Sequence, residues 1–111
     1  MNPGKLNRRL TFQKPVEEQD KEGNWITGYV DVFTVWGEIL GVNSLRSKEI
    51  MLAGALSVES PKKIRIRYKK DVSRDMRIKF QDRIFEIKDF DNPGERNDEL
   101  IIICDEVNLN G

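Results

Sequence analysis

The stretch that decides the fold is KIRIRYKKDVSRDMRIKFQDRIFEIKDFDNPGERNDELIIICDEV, residues 63–107. In its first segment Ile64, Ile66 and Tyr68 alternate with cations, so the apolar residues share one face of an extended strand and the cations share the other. The same alternation returns in three further segments, residues 76–80, 83–87 and 99–105. Only turn-sized gaps separate these segments, which predicts a β-meander. Four inward residues are predicted to form the core: Ile66, Ile78, Phe85 and Ile102.

Length and composition predict a single domain, residues 1–111, that folds without a disulfide or a metal. Cys104 is the single cysteine, so no internal disulfide forms, and nothing at residues 1–4 resembles a secretion leader. The longest apolar run, 100–104, is far shorter than the ~18 residues that a membrane-spanning helix requires. We therefore expect an intracellular protein that does not enter a membrane.

The charges cancel in number but not in position. Nineteen Lys and Arg residues balance nineteen Asp and Glu residues, so the chain has no overall field that draws it onto nucleic acid. Acidic residues gather at 17–22 and 89–106, whereas cations gather between Arg65 and Lys79. Two interpretations are open: a charge-dipolar domain, or ordinary solvated strand faces on which Lys and Arg protect the edges.

The N-terminal half predicts two further strand regions. Residues 10–13 alternate and form a strand that Pro15 is expected to end. Residues 17–24 are polar and acidic, which indicates a mobile hairpin connection. The second strand region, residues 25–40, begins half-exposed. From residue 32 to 40 both alternation sets are apolar, so we expect burial on both faces.

Residues 41–61 break the β rhythm. Asn43 or Ser44 would cap a short helix, which makes this long excursion partly helical. Its run from Ile50 to Leu56 is too apolar to lie in water, and most connections have only ~4 to 6 residues. The excursion therefore either covers its own core as a lid or contacts a partner.

Together these segments predict an all-β fold. The expected architecture is a small antiparallel β-barrel or sandwich of about six strands, because closure leaves few free edges. The partly helical excursion lies between the second and third strands. Residues 91–98, which contain Asn92-Pro93-Gly94, are expected to form a turn before the last strand.

Residue types that carry chemistry are scarce. The chain has no histidine, which removes the commonest general base and most metal sites. Cys104 lies in an apolar run and is expected to be a small core residue. Glu38 and Glu86 are expected to be outward or salt-bridged. The acidic turn around Asp91 lacks the terminal Glu and ordered Gly of a calcium loop, so the sequence predicts no enzyme, no cofactor and no metal site.

A small nucleic-acid-binding β-barrel is the alternative function. Such barrels stack bases on exposed aromatic rings beside a basic groove. Here the central cations occupy one strand face, whereas Tyr68 and Phe80 belong to the inward set. Trp25 and Tyr29 neighbour an acidic stretch. This interleaving disfavours nucleic acid without removing it as the alternative.

Several separated pieces of the chain resemble one family. They are PGKLNRRLTFQ (3–13), VFTVW (32–36), SKE (47–49), IRIRY (64–68), DMRI (75–78), RIFEI (83–87) and EL (99–100). In this order and spacing they resemble the small head-tail joining proteins of tailed bacteriophages with long tails, also called head completion or stopper proteins. The resemblance covers nearly the whole chain and rests on fold and assembly signatures.

The resemblance implies a β-barrel protomer that assembles as a homo-oligomeric ring of six or twelve copies below the portal and adaptor proteins. The ring would retain packaged double-stranded DNA and present a docking surface for a tail terminator or tail-completion protein. The protein would belong to the virion of a phage or prophage, and to the bacterial host cytoplasm during assembly. Ring contacts join unlike surfaces, which suits a dipolar distribution of charge.

Nine residues are predicted to contact partners in that setting. Six lie in the excursion and three are central cations: Leu45, Glu49, Ile50, Met51, Leu52, Leu56, Arg65, Arg67 and Arg77. The chain departs from the family at two places. Where the family usually has a glycine-bearing turn, this chain has Gln81-Asp82, and Asp82 is expected to take the left-handed conformation. Gly37 stands where the family more often has alanine, which predicts a bulge or a close backbone approach.

Overall fold

The computed structural model describes residues 6–41 and 61–107, in which six strands form one antiparallel sheet that closes on itself. The strands are β1 (Arg8–Gln19), β2 (Trp25–Gly41), β3 (Pro61–Arg67), β4 (Arg77–Phe80), β5 (Arg83–Asp91) and β6 (Glu99–Val107). Around the closed sheet their order is β1-β2-β3-β6-β5-β4. The prediction of an all-β fold with six strands is confirmed. Apart from its end residues, the predicted helical excursion 41–61 lies outside the described residues.

Alternating side chains fill the interior of the closed sheet. All four predicted core residues are fully buried: Ile66, Ile78, Phe85 and Ile102. Phe12 of β1 stacks on Phe33 of β2, with 4.7 Å between the ring centroids. Removal of these apolar side chains from water is the main favourable contribution to folding.

Gly37 allows the first three strands to approach one another closely. It pairs with Arg8 of β1 and with Ile66 of β3. A Cβ atom at this position would lie 2.5 Å from Leu10 Cδ1 and 2.9 Å from Ile66 Cγ2. Inward side chains therefore occupy the space that a methyl group needs, and the predicted close approach is confirmed.

β1 continues through Pro15, so the expectation that this proline ends the strand is wrong. β4 pairs with β1 only at residues 11–13, which leaves Pro15 in an edge position. Proline is tolerated at an edge because no neighbouring strand needs the missing N–H on that side. Tyr68 also departs from the expected inward set, since it follows the end of β3 and is exposed.

The segment 32–40 is buried on one face only, contrary to the prediction. Phe33 contacts the core, whereas Val32 and Trp36 are exposed. Consecutive residues of β1 pair with Phe33 and Asp31, which leaves Val32 as the extra residue of a β-bulge. A one-residue insertion exchanges the two faces of the strand beyond it. Beyond the bulge the odd-numbered Phe33, Val35 and Ile39 pack on the core, so Trp36 lies on the outer face although it is apolar.

The turn between β4 and β5 has Gln81, not Asp82, as its left-handed residue. Gln81 has a φ of 56°, in the region that favours glycine. The expectation for Asp82 is therefore wrong by one position. In the β4–β5 pairing Phe80 and Arg83 are register partners. Gln81 and Asp82 therefore form a two-residue turn, and Gln81 is its first residue.

Replacing Gly37 with alanine is expected to lower the free energy of unfolding by about 1 to 3 kcal/mol, because the added methyl group overfills the core beside Leu10. Gly28→Ala is the matched control, since a Cβ there meets only the end of the Glu18 side chain, at 3.5 Å. This control is expected to leave stability unchanged or raise it by up to about 1 kcal/mol. Chemical denaturation measures both. Equal losses in the two variants would contradict the close approach at Gly37.

Candidate assembly surface

The β1–β2 hairpin extends beyond the closed sheet as a two-stranded ribbon, which we call the arm and define as residues 14–30. β1 pairs with β4 only up to Gln13, and β2 pairs with β3 only from Gly37 onward. Among the described residues, the strands of the arm therefore pair only with each other, as far as Gln19 and Trp25. A lone two-stranded ribbon is at best marginally stable in water, so the arm needs internal ties or a partner.

The tip of the arm is tied by Asp20. Its carboxylate accepts hydrogen bonds from the backbone N–H groups of Glu22 at 2.9 Å and Asn24 at 2.8 Å. Gly23 supplies a φ of 86°, which glycine adopts at little cost. The hairpin connection predicted at residues 17–24 is thus a hydrogen-bonded turn of residues 20–24, and the prediction is wrong for residues 17–19, which belong to β1.

The arm exposes large apolar side chains. Trp25 is 68% exposed and Ile26 is 47% exposed, and as successive strand residues they lie on opposite faces of the arm. Val30 is exposed as well. Within residues 14–30, four acidic residues outnumber two lysines. Apolar surface rimmed by charge is typical of a protein contact site.

The base of the arm is held by Gln13, a buried polar residue. Its amide nitrogen donates to the Asp31 carboxylate at 2.7 Å, and its amide oxygen accepts from Arg77 Nε at 2.8 Å. The Arg77 guanidinium lies 3.7 Å from the centroid of the Tyr29 ring, a cation–π contact. Because β1 separates from β4 at Gln13, this cluster fixes the direction in which the arm leaves the sheet.

A cleft lies near the opposite end of β1, lined by Leu6, Asn7, Trp36 and Arg67. Trp36 is 52% exposed, and the Arg9 guanidinium lies 5.1 Å from its ring centroid. Arg67 is exposed and forms no ion pair with a described residue. The cleft therefore presents an apolar floor beside two cations.

The predicted interface residues fall in different places. Arg65 lies 3.1 Å from a Glu38 carboxylate oxygen and 4.0 Å from one of Glu99, so it belongs to an ion-pair cluster within the protomer. Arg77 belongs to the base of the arm, and Arg67 lines the cleft. Of these three cations, only Arg67 lacks a charged or polar partner among the described residues. Six predicted residues lie outside the described part of the chain: Leu45, Glu49, Ile50, Met51, Leu52 and Leu56.

Sequence reasoning missed the contacts that organise the arm. Alternation places Tyr68 and Phe80 away from the face of the central cations, but Tyr29 of β2 stacks on Arg77. The sequence does not indicate that Gln13 is buried, because its partner Arg77 lies 64 residues further along the chain. A signal for Trp36 was available. Val35 faces the core, and successive side chains of a strand point to opposite faces, so Trp36 is expected on the outer face.

The titratable groups have structural roles. Burial raises the pKa of the Cys104 thiol to about 12, so it stays protonated and is a poor nucleophile, as predicted for a core residue. A hydrogen bond from Arg83 lowers the pKa of Glu106. Glu106 therefore stabilises the fold above its unfolded pKa, and this contribution is lost as pH falls through the lowered value.

Two further findings concern only residues 6–41 and 61–107. No group of cysteine, aspartate and glutamate side chains in these ranges is arranged to hold a metal ion. Nor does this part of the chain contain a helix long and apolar enough to cross a membrane.

Comparison with protein families gives a match over nearly the whole length. Residues 1–107 match the family described as phage head completion protein. The chain belongs to the phage head completion protein family. The resemblance drawn from its sequence segments is thereby confirmed, and the coarse role that follows is structural, in the phage head.

Solved structures share the fold of this head completion protein. The solution structure of protein SF1141 from Shigella flexneri 2a is 31% identical, has a TM-score of 0.69 and aligns over 96% of each chain. A chain from the virion of a native gene transfer agent particle is 20% identical and has a TM-score of 0.62, with 92% of this chain and 96% of that chain aligned. At that identity the similarity shows the fold alone. Comparison with curated proteins gave no match.

Replacing Gln13 with alanine is expected to loosen the arm, because Asp31 and Arg77 each lose a hydrogen-bond partner. The expected cost is about 1 to 3 kcal/mol, and amide hydrogen exchange should accelerate more in residues 14–30 than in the core strands. Gln19→Ala is the matched control, since that amide makes one exposed contact, at 3.4 Å to a backbone carbonyl. The same exchange rates in both variants would contradict this role of Gln13.

Proposed function

We propose that this head completion protein is a connector of the virion. It forms a homo-oligomeric ring below the portal or adaptor protein, retains packaged double-stranded DNA, and provides the surface on which a tail terminator or tail-completion protein docks. The ring assembles in the cytoplasm of the bacterial host. Membership of the phage head completion protein family is the observation that carries the proposal.

The arm supports a role in assembly. A closed sheet satisfies its own strand edges, yet β1 and β2 continue beyond the sheet and expose Trp25 and Ile26. Such a ribbon is a liability for a protein that acts alone, because apolar side chains and unpaired backbone groups invite association. In an oligomer the same ribbon has a neighbour that covers it.

The unlike ends of the protomer suit the repeated contact from which a ring is built. The arm is acidic and apolar, whereas the cleft carries Arg9 and Arg67. A contact between unlike surfaces is heterologous, and it generates a ring when its rotation closes.

Binding of single-stranded nucleic acid is a second candidate function. One observation favours it: the exposed Trp36 ring lies beside Arg9, in the cleft that Arg67 also lines. An aromatic ring next to cations is suited to stack a base. The absence of net charge opposes it, because phosphate contacts supply most of the affinity of sequence-independent binding.

The excursion is proposed to contact partners as well. This rests on its sequence, in which the apolar run from Ile50 to Leu56 lies in a connection longer than a compact domain needs. Arg65 is not proposed as an interface residue. The Arg65 guanidinium already lies against two carboxylates of its own chain, so a charge reversal there would act on folding first.

Completion of heads in vitro tests the proposed function. Heads from a phage that lacks this gene should become infectious when the purified protein and tails are added. A variant in which Asn43–Val58 is replaced by Gly-Ser should fold but not complete heads. At near-physiological salt the isolated wild-type protein should bind DNA weakly, and added salt should abolish the binding.

Each part of this experiment has an outcome that contradicts a stated claim. Heads that become infectious without the protein would overturn the connector proposal. Loss of cooperative unfolding in the deletion variant would show that the excursion belongs to the core. Tight binding of DNA that is lost in Trp36→Ala, together with normal completion of heads by that variant, would favour the second candidate function.

A further inference from the structure

We propose that the arm of one protomer docks in the cleft of the next copy in the ring. Trp25 at the tip covers the apolar floor of the cleft, while carboxylates of the arm pair with Arg9 and Arg67. This inference rests on the proposed function, because it names the contact from which the ring is built. The partner surface is therefore a second copy of this chain.

The arm and the cleft of one protomer lie too far apart to meet. β1 runs continuously from Arg9, beside the cleft, to Gln19 at the tip. An extended strand of that length spans about 33 Å, at ~3.3 Å per residue. The cluster around Gln13 keeps the arm pointing away from the sheet. A cleft that receives the tip must therefore belong to another molecule.

The charges of the two surfaces are opposite and unused within the protomer. Glu17, Glu18 and Glu22 of the arm form no ion pair with a described residue, and the same holds for Arg67. Arg9 contacts the Trp36 ring. Carboxylates and guanidinium groups form strong, directional hydrogen bonds across an interface, and complementary fields favour the correct partner over others.

The apolar groups are complementary as well. The tip presents the indole ring of Trp25, and the cleft presents the exposed ring of Trp36 beside the buried Leu6. Aromatic side chains seated in a pocket and surrounded by charged groups are the usual centres of binding energy in protein contacts. Each protomer gives one arm and receives one, so the contact leaves no surface unused when the ring closes.

A second copy suits the arm better than the alternatives. DNA phosphates would face the carboxylates of the arm, which repel them. Two arms packed against each other would bring their acidic residues together, and like charges at a contact are strongly unfavourable. The cleft offers this tip both an exposed aromatic ring and cations.

An exchange of charge between two variants tests the contact. The arm variant carries Glu17→Arg and Glu18→Arg, and the cleft variant carries Arg9→Glu and Arg67→Glu. Each variant alone should attach to heads that lack this protein at least about tenfold less well than wild type, because every contact in the ring joins like charges. An equal mixture should restore attachment, with the variants alternating, since each altered surface then meets one of opposite charge.

Controls separate attachment from folding. All four altered side chains are exposed, so both variants should keep the wild-type denaturation midpoint. Arg96→Glu and Asp91→Arg reverse exposed charges outside both surfaces and should attach as wild type. As a second measurement, a chain with Asn7→Cys and Thr27→Cys should form cross-linked ladders with a short bismaleimide when it is bound to heads.

Failure of the proposed function and failure of the contact between arm and cleft give different outcomes. If wild-type protein does not attach to heads, the proposed function fails. If wild type attaches and either variant attaches equally well, or the mixture does not restore attachment, the contact between arm and cleft is wrong while the proposed function stands. Head-bound chains that yield no cross-linked ladder would also overturn the contact.

Discussion

Four residues of β4 close the sheet against a β1 strand of twelve residues. This difference in length is the constraint on which the rest of the structure depends. Beyond Gln13, β1 has no neighbour but β2 among the described residues, so the two strands leave the sheet together. The polar contacts of Gln13 and Arg77 lie at that point of separation, where an uncompensated buried amide would cost stability.

The closed sheet provides the stable core, whereas the arm and the cleft present surface for contacts. The fully buried core gives a rigid platform, since its apolar side chains are removed from water and few strand edges stay free. The arm lies outside that core, and the cleft shares the buried residue Leu6 with it. Their exposed apolar groups gain most when a neighbour covers them. In the proposed assembly, a partner that binds one conformation of the arm would stabilise that conformation.

Sequence predicted the core well because alternation is a local property. Ile66 and Ile102 could be assigned to the interior from their own segments, and both are buried. Non-local contacts account for the errors. Whether β1 can continue through Pro15 depends on the short length of β4. The bulge at Val32 appears only when β1 and β2 are paired.

The candidate site was less predictable than the fold for the same reason. Arg65, Arg67 and Arg77 look alike in sequence, as cations that alternate with apolar residues. In the structure one pairs with glutamates, one lies in the cleft and one stacks on Tyr29. Those differences come from partners on other strands, and the residue type alone carries no signal for them.

Hydrogen exchange of the arm, before and after assembly, tests the central claim most directly. Amides of residues 14–19 and 25–30 should exchange much faster than those of β3 and β6 in the free protein, because the arm lacks neighbouring strands. On attachment to portal-containing heads the arm amides should become protected, while those of the core stay unchanged. Arm amides that exchange equally fast in the free and the attached protein would contradict the assignment of the arm to assembly.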